Sequence, residues 1–150
     1  MSKYDDAMKI MTEKYGKDEV WSIATTDGES YDVRFVDGYY EDGLLYIVTY
    51  ALSTKMQHIE VEPNIPICTF WFKGHGIGEN LGWVRDEKNA NIMEKLRVAF
   101  ASWYSNGHIN EEDPNTILLC IHITDGAIID EEQKYDEFYY EVDFVNKTVE

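Results

Sequence analysis

Hydrophobic positions along the chain change period several times, and each change predicts an element. Over residues 2–17, Tyr4, Met8, Met11 and Tyr15 recur at helical spacing with Ala7 and Ile10 beside them. This is an amphipathic helix, capped by Ser2 and stopped by Gly16. Residues 20–26, VWSIATT, alternate as a strand, and Asp27-Gly28 opens a loop. Residues 31–40 are rich in aromatic and β-branched side chains and give a second strand. Glu41-Asp42-Gly43 then supplies a hairpin turn, because Asp-Gly accepts positive φ. In the third strand, residues 44–50, Leu44, Tyr46, Val48 and Tyr50 share one face and Leu45, Ile47 and Thr49 the other. Both faces are largely apolar, so the strand is expected to be covered on both sides.

The period then becomes helical. Met56, Ile59 and Glu60 follow Ser53-Thr54-Lys55, and Pro63 closes the run. Ser53 or Thr54 can cap this helix, and Thr54 with Gln57 fits a capping box. Residues 65–72, IPICTFWF, read as a fourth strand, in which Trp71 is expected in the core, with a pocket wall as the alternative. The run from Gly74 to Gly82 has neither the Gly-Lys-Ser/Thr of a Walker loop nor the third glycine of a dinucleotide fingerprint. It reads as a bulged, sharply bent strand with glycine at the bends. A helix is predicted over 88–105 from the stripe Ile92, Leu96, Ala99, Phe100 and Trp103, with Asp86 as cap and Gly107 as stop. Residues 106–115 form a connection. A strand follows over 116–123, a turn at Asp125-Gly126, a short strand over 127–130 and a tyrosine-rich final strand over 135–145.

The third strand delivers a helix start, and helix starts bind anions. The first N–H groups have no partners within the helix, and the helix dipole adds positive potential. Here two hydroxyls and the Lys55 ammonium join them, and Arg34 on the neighbouring strand could reach the same point. The residues alone leave two readings open. One is a phosphate cradle without a glycine-rich loop. The other is a common capped surface helix with a solvated Lys and an Arg paired to a nearby acid.

Bulk properties narrow the setting. The 150 residues suit one domain, and a 44% hydrophobic fraction is that of a folded protein. Eleven Tyr, six Phe and four Trp suit a β-rich core or an aromatic-walled pocket. A formal net charge of −16 with 13 Lys and Arg argues against nucleic-acid and anionic-membrane partners. It also means that a bound anion needs a local cationic site. Cys68 and Cys120 lie in apolar runs and are expected to be buried thiols. No signal-peptide core follows the N-terminus and no run spans a bilayer, so a cytoplasmic protein is expected. Among the histidines, none has paired metal-ligand spacing. His122 reads as structural, and His58, one turn from the possible anion site, is expected to face water, with the side of that site as the alternative. No nucleophile elbow is present.

Arg34-x-Val36 on one strand, followed by Val48-Thr49-Tyr50-x-x-Ser53-Thr54-Lys55 and a helix closed by Pro63, resembles the FMN-binding split-barrel family, the pyridoxamine 5′-phosphate oxidase-like proteins. The motif similarity covers about residues 20–72, and the order of elements agrees to about residue 130. The resemblance implies a mainly β (α+β) fold, a six-stranded antiparallel split β-barrel with peripheral helices. It implies FMN as cofactor and a homodimer with two flavins at the interface. In that family the strand Arg and the Ser and Lys at the helix start hold the FMN phosphate, and the strand-end Thr lies beside the flavin. The positions carried over are Arg34, Thr49, Ser53 and Lys55, with Val36, Tyr50 and Thr54 as neighbours. The implied activity passes electrons between a nicotinamide donor and a small-molecule acceptor. A non-catalytic flavin-storage protein is the alternative, as is a split barrel using haem or deazaflavin. Ser-Thr-Lys replaces the Ser-Arg-Lys of true pyridoxamine phosphate oxidases, and Phe35 stands where relatives often have Pro. The C-terminal Arg-Leu-x-Pro element of those oxidases has no counterpart in VDFVNKTVE, so that particular activity is not expected.

Overall fold

The computed structural model describes residues 2–106, 108–129 and 139–150. Its elements are α1 (Lys3–Tyr15), β1 (Glu19–Thr26), β2 (Tyr31–Glu41), β3 (Leu44–Tyr50), α2 (Thr54–Val61), β4 (Asn64–Thr69), β5 (Phe72–Trp83), α3 (Ala90–Ala99), β6 (Thr116–Ile129), β7 (Tyr139–Asp143) and β8 (Thr148–Val149). All strand pairs are antiparallel, in the order β3-β2-β1-β4-β5-β6-β7-β8. A further β3–β6 pairing closes the first six strands into a barrel, as the resemblance implies. β6 makes closure possible by its length. On one edge it runs along β5; on the other its first half pairs with β3 and its second with β7.

Alternation along the strands fills the barrel. Trp21 and Ile23 of β1, Leu45 and Ile47 of β3, and Ile65 and Ile67 of β4 point inward with Phe72, Leu119 and Ile121. α1 lays Ala7, Met11 and Tyr15 on this core, and α2 adds Met56 and Ile59. Ser2 caps α1 in a full capping box with Asp5. α3 packs Met93 and Leu96 against a second cluster containing Leu118 and, more peripherally, Tyr39, Tyr46 and Val48. β3 is thus covered on both faces. The β2–β3 turn takes positive φ at Asp42 and Gly43, the conformation expected of a hairpin.

Four expectations are corrected. Residues 65–72 are not one strand: the chain turns at Phe70-Trp71, and Trp71 sits at the turn with φ 70° and 45% exposure, outside the core. Asp125-Gly126 is no turn, because β6 runs straight through it. The 88–105 helix begins as a 3-10 turn over Glu87–Asn89 and ends at Ala99. Phe100 stays buried beyond its end and Trp103 packs on it, so the apolar stripe outlasts the helix. Cys68 is exposed, because it faces outward on β4, whereas Cys120 is buried and its thiol is pushed up to about 12 by desolvation. The predicted stop at Gly107 and the stretch 130–138 lie outside the described residues.

The glycine-rich strand is bent as predicted, with register shifts at His75/Gly76 and Asn80/Trp83. Its glycines are explained within the chain. A Cβ on Gly74 would lie 2.2 Å from the Asp125 carbonyl oxygen, and one on Gly76 2.4 Å from Ile121 Cγ2. It is β6 that comes close there.

Candidate functional site

β2 and β3 are joined over a short length only. Tyr39, Tyr40 and Glu41 pair with Tyr46, Leu45 and Leu44, and beyond these the strands part. β2 continues along β1 from Gly38 back to Tyr31, while β3 continues along β6 to Tyr50. The barrel is split at this place, and two strand edges face each other without a shared ladder. A strand edge of unpaired N–H and C=O groups is a binding surface.

The expected residues gather around the mouth of the split. Arg34 lies opposite Ile23 in the β1–β2 register, so its side chain leaves β2 on the core side of the sheet. Val36, two residues on, shares that face, is half-buried and packs on the barrel core. Thr49 and Tyr50 end β3, and Tyr50 is 45% exposed. Ala51 and Leu52 turn the chain into α2. Ser53 caps the helix, its Oγ accepting from Met56 N at 3.4 Å. Thr54 is therefore the first helical residue, exposed, and not the cap. Gln57 donates to the Leu52 carbonyl oxygen instead of closing a capping box.

Lys55 turns back over the end of β3. Its Nζ donates to Thr49 Oγ1 at 2.5 Å and to Ser53 Oγ at 3.5 Å. Burial, then the nearby positive charge of Arg34, lowers its ammonium from 10.5 to about 8. The two cations, 21 residues apart in the chain, therefore share one neighbourhood. Arg34 is oriented by its own strand and by β1. Nη1 donates to Thr25 Oγ1 at 2.9 Å and Nη2 to Asp32 Oδ2 at 2.5 Å. Asp32 is held below its usual range by that guanidinium.

Two neighbours of the site, Thr25 and Asp32, were not foreseen, and a third, His58, was foreseen in place but not in orientation. Thr25 is 2% exposed, occupying an inward position in the series Trp21, Ile23, Thr25. A hydroxyl on the apolar side of an alternating strand was the available signal. Asp32 shares the face of Arg34 by the two-residue period of a strand. His58 was expected to face water. It is 5% exposed, with Nδ1 3.0 Å from Thr25 Oγ1 and Nε2 3.2 Å from Ser30 Oγ. Nothing in the sequence announces these partners, since they come from β1 and the following loop.

The donor set suits a phosphate. A forked guanidinium and an ammonium supply charge, and the Ser53 and Thr54 hydroxyls supply further donors. The N–H groups of Thr54 and Lys55, at the first two positions of α2, have no acceptors within the helix. Two part-buried cations close together repel each other, and a dianion between them relieves that cost. A carboxylate of the same neighbourhood, Asp32, holds one arm of the guanidinium.

No family model matches the chain, and no curated protein matches it in sequence. Solved structures do match in shape. A pyridoxamine 5′-phosphate oxidase-related, FMN-binding protein of Nostoc punctiforme aligns with TM-score 0.55 at 15% identity, over 94% of this chain and 89% of that one. An FAD-binding protein of Mesorhizobium loti gives TM-score 0.57 at 15% identity, over 81% and 89%. A haem-binding protein of Mycobacterium smegmatis gives TM-score 0.66 at 11% identity, over 98% of this chain and 60% of that one. Barrel closure through β3–β6, the parting of β2 from β3 and these likenesses agree: the chain has the fold of the pyridoxamine 5′-phosphate oxidase-like, FMN-binding split barrels.

Proposed function

We propose that the chain binds FMN in the split between β2 and β3 and works as a homodimeric oxidoreductase. The observation that carries this reading is the nearness of Arg34 and Lys55 at the start of α2. In it, Arg34, Lys55, Ser53 and the first amides of α2 hold the phosphate. Thr49, Tyr50 and Val36 line the way from the phosphate toward the ring system. Bound flavin would supply reversible electron transfer, from a nicotinamide donor to a small acceptor. The protein's part is to fix the phosphate, keep Lys55 charged beside it and limit access to the ring.

The outer face of β2 supports the homodimer. Tyr31, Val33 and Phe35 are 81%, 66% and 78% exposed on that face, with Val20 of β1 close by. Large apolar side chains side by side on an exposed sheet face mark a partner surface. Haem is supported by one structural neighbour. Against it, His58, the histidine at the site, has both ring nitrogens engaged by hydroxyls. The net charge and the absence, among the described residues, of a helix long and apolar enough to cross a membrane leave a cytoplasmic small-molecule enzyme as the proposed setting.

The absorption spectrum of purified protein after incubation with FMN tests the cofactor. Bands of oxidised flavin retained through gel filtration support the reading; a protein that leaves the column colourless refutes it. Oxidation of reduced nicotinamide by the flavin-loaded protein then separates turnover from storage.

A further inference from the structure

The hydrogen bonds behind Arg34 form a chain with one direction. The guanidinium can only donate, so Thr25 Oγ1, 2.9 Å from Nη1, must accept from it. The single hydroxyl proton of Thr25 is then free for His58 Nδ1 at 3.0 Å. That leaves the His58 proton on Nε2, aimed at Ser30 Oγ at 3.2 Å. Ser30 in turn donates to Asp27 Oδ1 at 3.2 Å. Asp27 also accepts from the backbone N–H of Glu29 and of Ser30, at 2.9 and 2.8 Å. It ends the series as a fixed acceptor. Every link has one donor and one acceptor, and of the two neutral tautomers of His58 only Nε2–H satisfies them all.

From this geometry we infer that His58 is a positioning residue for the anion site, acting through Thr25 on Arg34. The inference rests on the proposed phosphate site. The chain also joins the two halves of that site. α2 offers Ser53 and Lys55 at its start, and one turn later His58 fastens the same helix to the strand that orients Arg34. Thr25 and His58 are both buried, so no water replaces either partner without rearrangement. With Thr25 held by His58, the guanidinium fork is fixed on one side. The arm on Asp32, whose side chain is 47% exposed, is the one that a phosphate can compete for.

The test compares His58→Gln with His58→Asn, in each case with FMN as the probe and flavin fluorescence as the readout. An Asn carbonyl oxygen takes the place of Nδ1 and can accept from Thr25. A Gln amide takes the place of Nε2 and leaves Thr25 without its acceptor. The expected result is about tenfold weaker FMN binding for His58→Gln and for Thr25→Val, the scale of a hydrogen bond to a charged group, with most of it restored in His58→Asn. The Thr25→Val/His58→Gln double variant should lose no more than either single one. A purely structural histidine would give equal losses in the Asn and Gln variants, or losses that follow thermal stability alone, and either overturns the inference. Nitrogen NMR of the wild-type imidazole provides a readout without flavin: protonation at Nε2 is expected, and an Nδ1–H tautomer overturns it. Wild-type protein that fails to bind FMN while showing the Nε2–H tautomer would refute the phosphate site but not the hydrogen-bond chain. Wild-type protein that binds FMN equally with His58→Gln would refute the positioning role alone.

Discussion

Replacing Lys55 with Met should make the protein more stable and less able to bind FMN. The side chain lies among Thr49, Ser53 and Arg34, part-buried at the start of α2. Its ammonium falls from 10.5 to about 8, first through desolvation and then through Arg34. The folded protein thus holds that proton less tightly than the unfolded chain does. Between about pH 8 and 10.5 the unfolded state keeps the proton that the native state has lost, so stability rises with pH there. Below pH 8 the full cost of a charged Lys55 is present. A shift of this size corresponds to about 3 kcal/mol, and solvent screening of a part-exposed group reduces it to about 1–2 kcal/mol. Met fills a similar volume without charge. Urea unfolding at pH 7 should therefore show a midpoint about 0.5–1 M higher for Lys55→Met than for wild type. The difference should shrink as pH rises from 8 to 10.5. FMN affinity should fall at least about tenfold with the loss of one charge-assisted contact. A variant less stable than wild type at pH 7, or a stability gap that does not change with pH, would mean that Lys55 is not a desolvated cation held for a ligand.

FMN binding should be strongest between about pH 6, where the phosphate becomes a dianion, and about pH 8, where Lys55 loses its proton. Lys55→Arg should remove the alkaline limb, which titrations across pH 5–10 would reveal. Arg34→Lys should weaken FMN about tenfold by calorimetry, since an ammonium cannot bridge Thr25 and a phosphate as a fork does. Asp37→Asn should raise the melting temperature at pH 7.5 and not at pH 4. Burial and the charge of Asp18 push the Asp37 carboxyl up to about 6, so the native state holds a proton that the unfolded chain releases, and stability is lost as pH rises from about 4 to 6. The new amide can also donate to Asp18, whose buried Oδ1 has no hydrogen-bond partner among the described residues. Phe35→Asp should shift the protein toward monomer in sedimentation experiments without unfolding it, because Phe35 makes the outward surface and not the core.

Much of the architecture was legible because hydrophobic period follows secondary structure so closely in the first half of the chain. The run from Tyr31 to Pro63 folds as its pattern predicts, with Asp42 and Gly43 turning it and Ser53 capping the helix. The failures have particular causes. At Phe70-Trp71 the chain reverses without Gly, Asn or Pro, and a bulky Trp takes the left-handed conformation that turn chemistry assigns to smaller residues. At Asp125-Gly126 the glycine serves packing instead of turning: a Cβ there would lie 2.3 Å from Phe72 Cζ. The apolar stripe of α3 outruns the helix because Phe100 and Trp103 are needed by the same cluster from a non-helical turn. At the site, Arg34 and Lys55 could be named from local pattern, since each sits at a recognisable strand or helix position. Thr25, Asp32 and His58 could not, because their roles depend on which strand lies beside which. His58 shows this most clearly. A polar residue on a short helix has no sequence mark of the Thr and Ser, 33 and 28 residues away, that bury it.

The most direct measurement is a pair of calorimetric titrations at pH 7, one with FMN and one with riboflavin, which lacks only the phosphate. If Arg34, Lys55 and the start of α2 form the anchoring site, FMN should bind at least about a hundredfold more tightly than riboflavin, as expected for two or more charge-assisted contacts. Equal affinities for the two, or no heat from either, would contradict it.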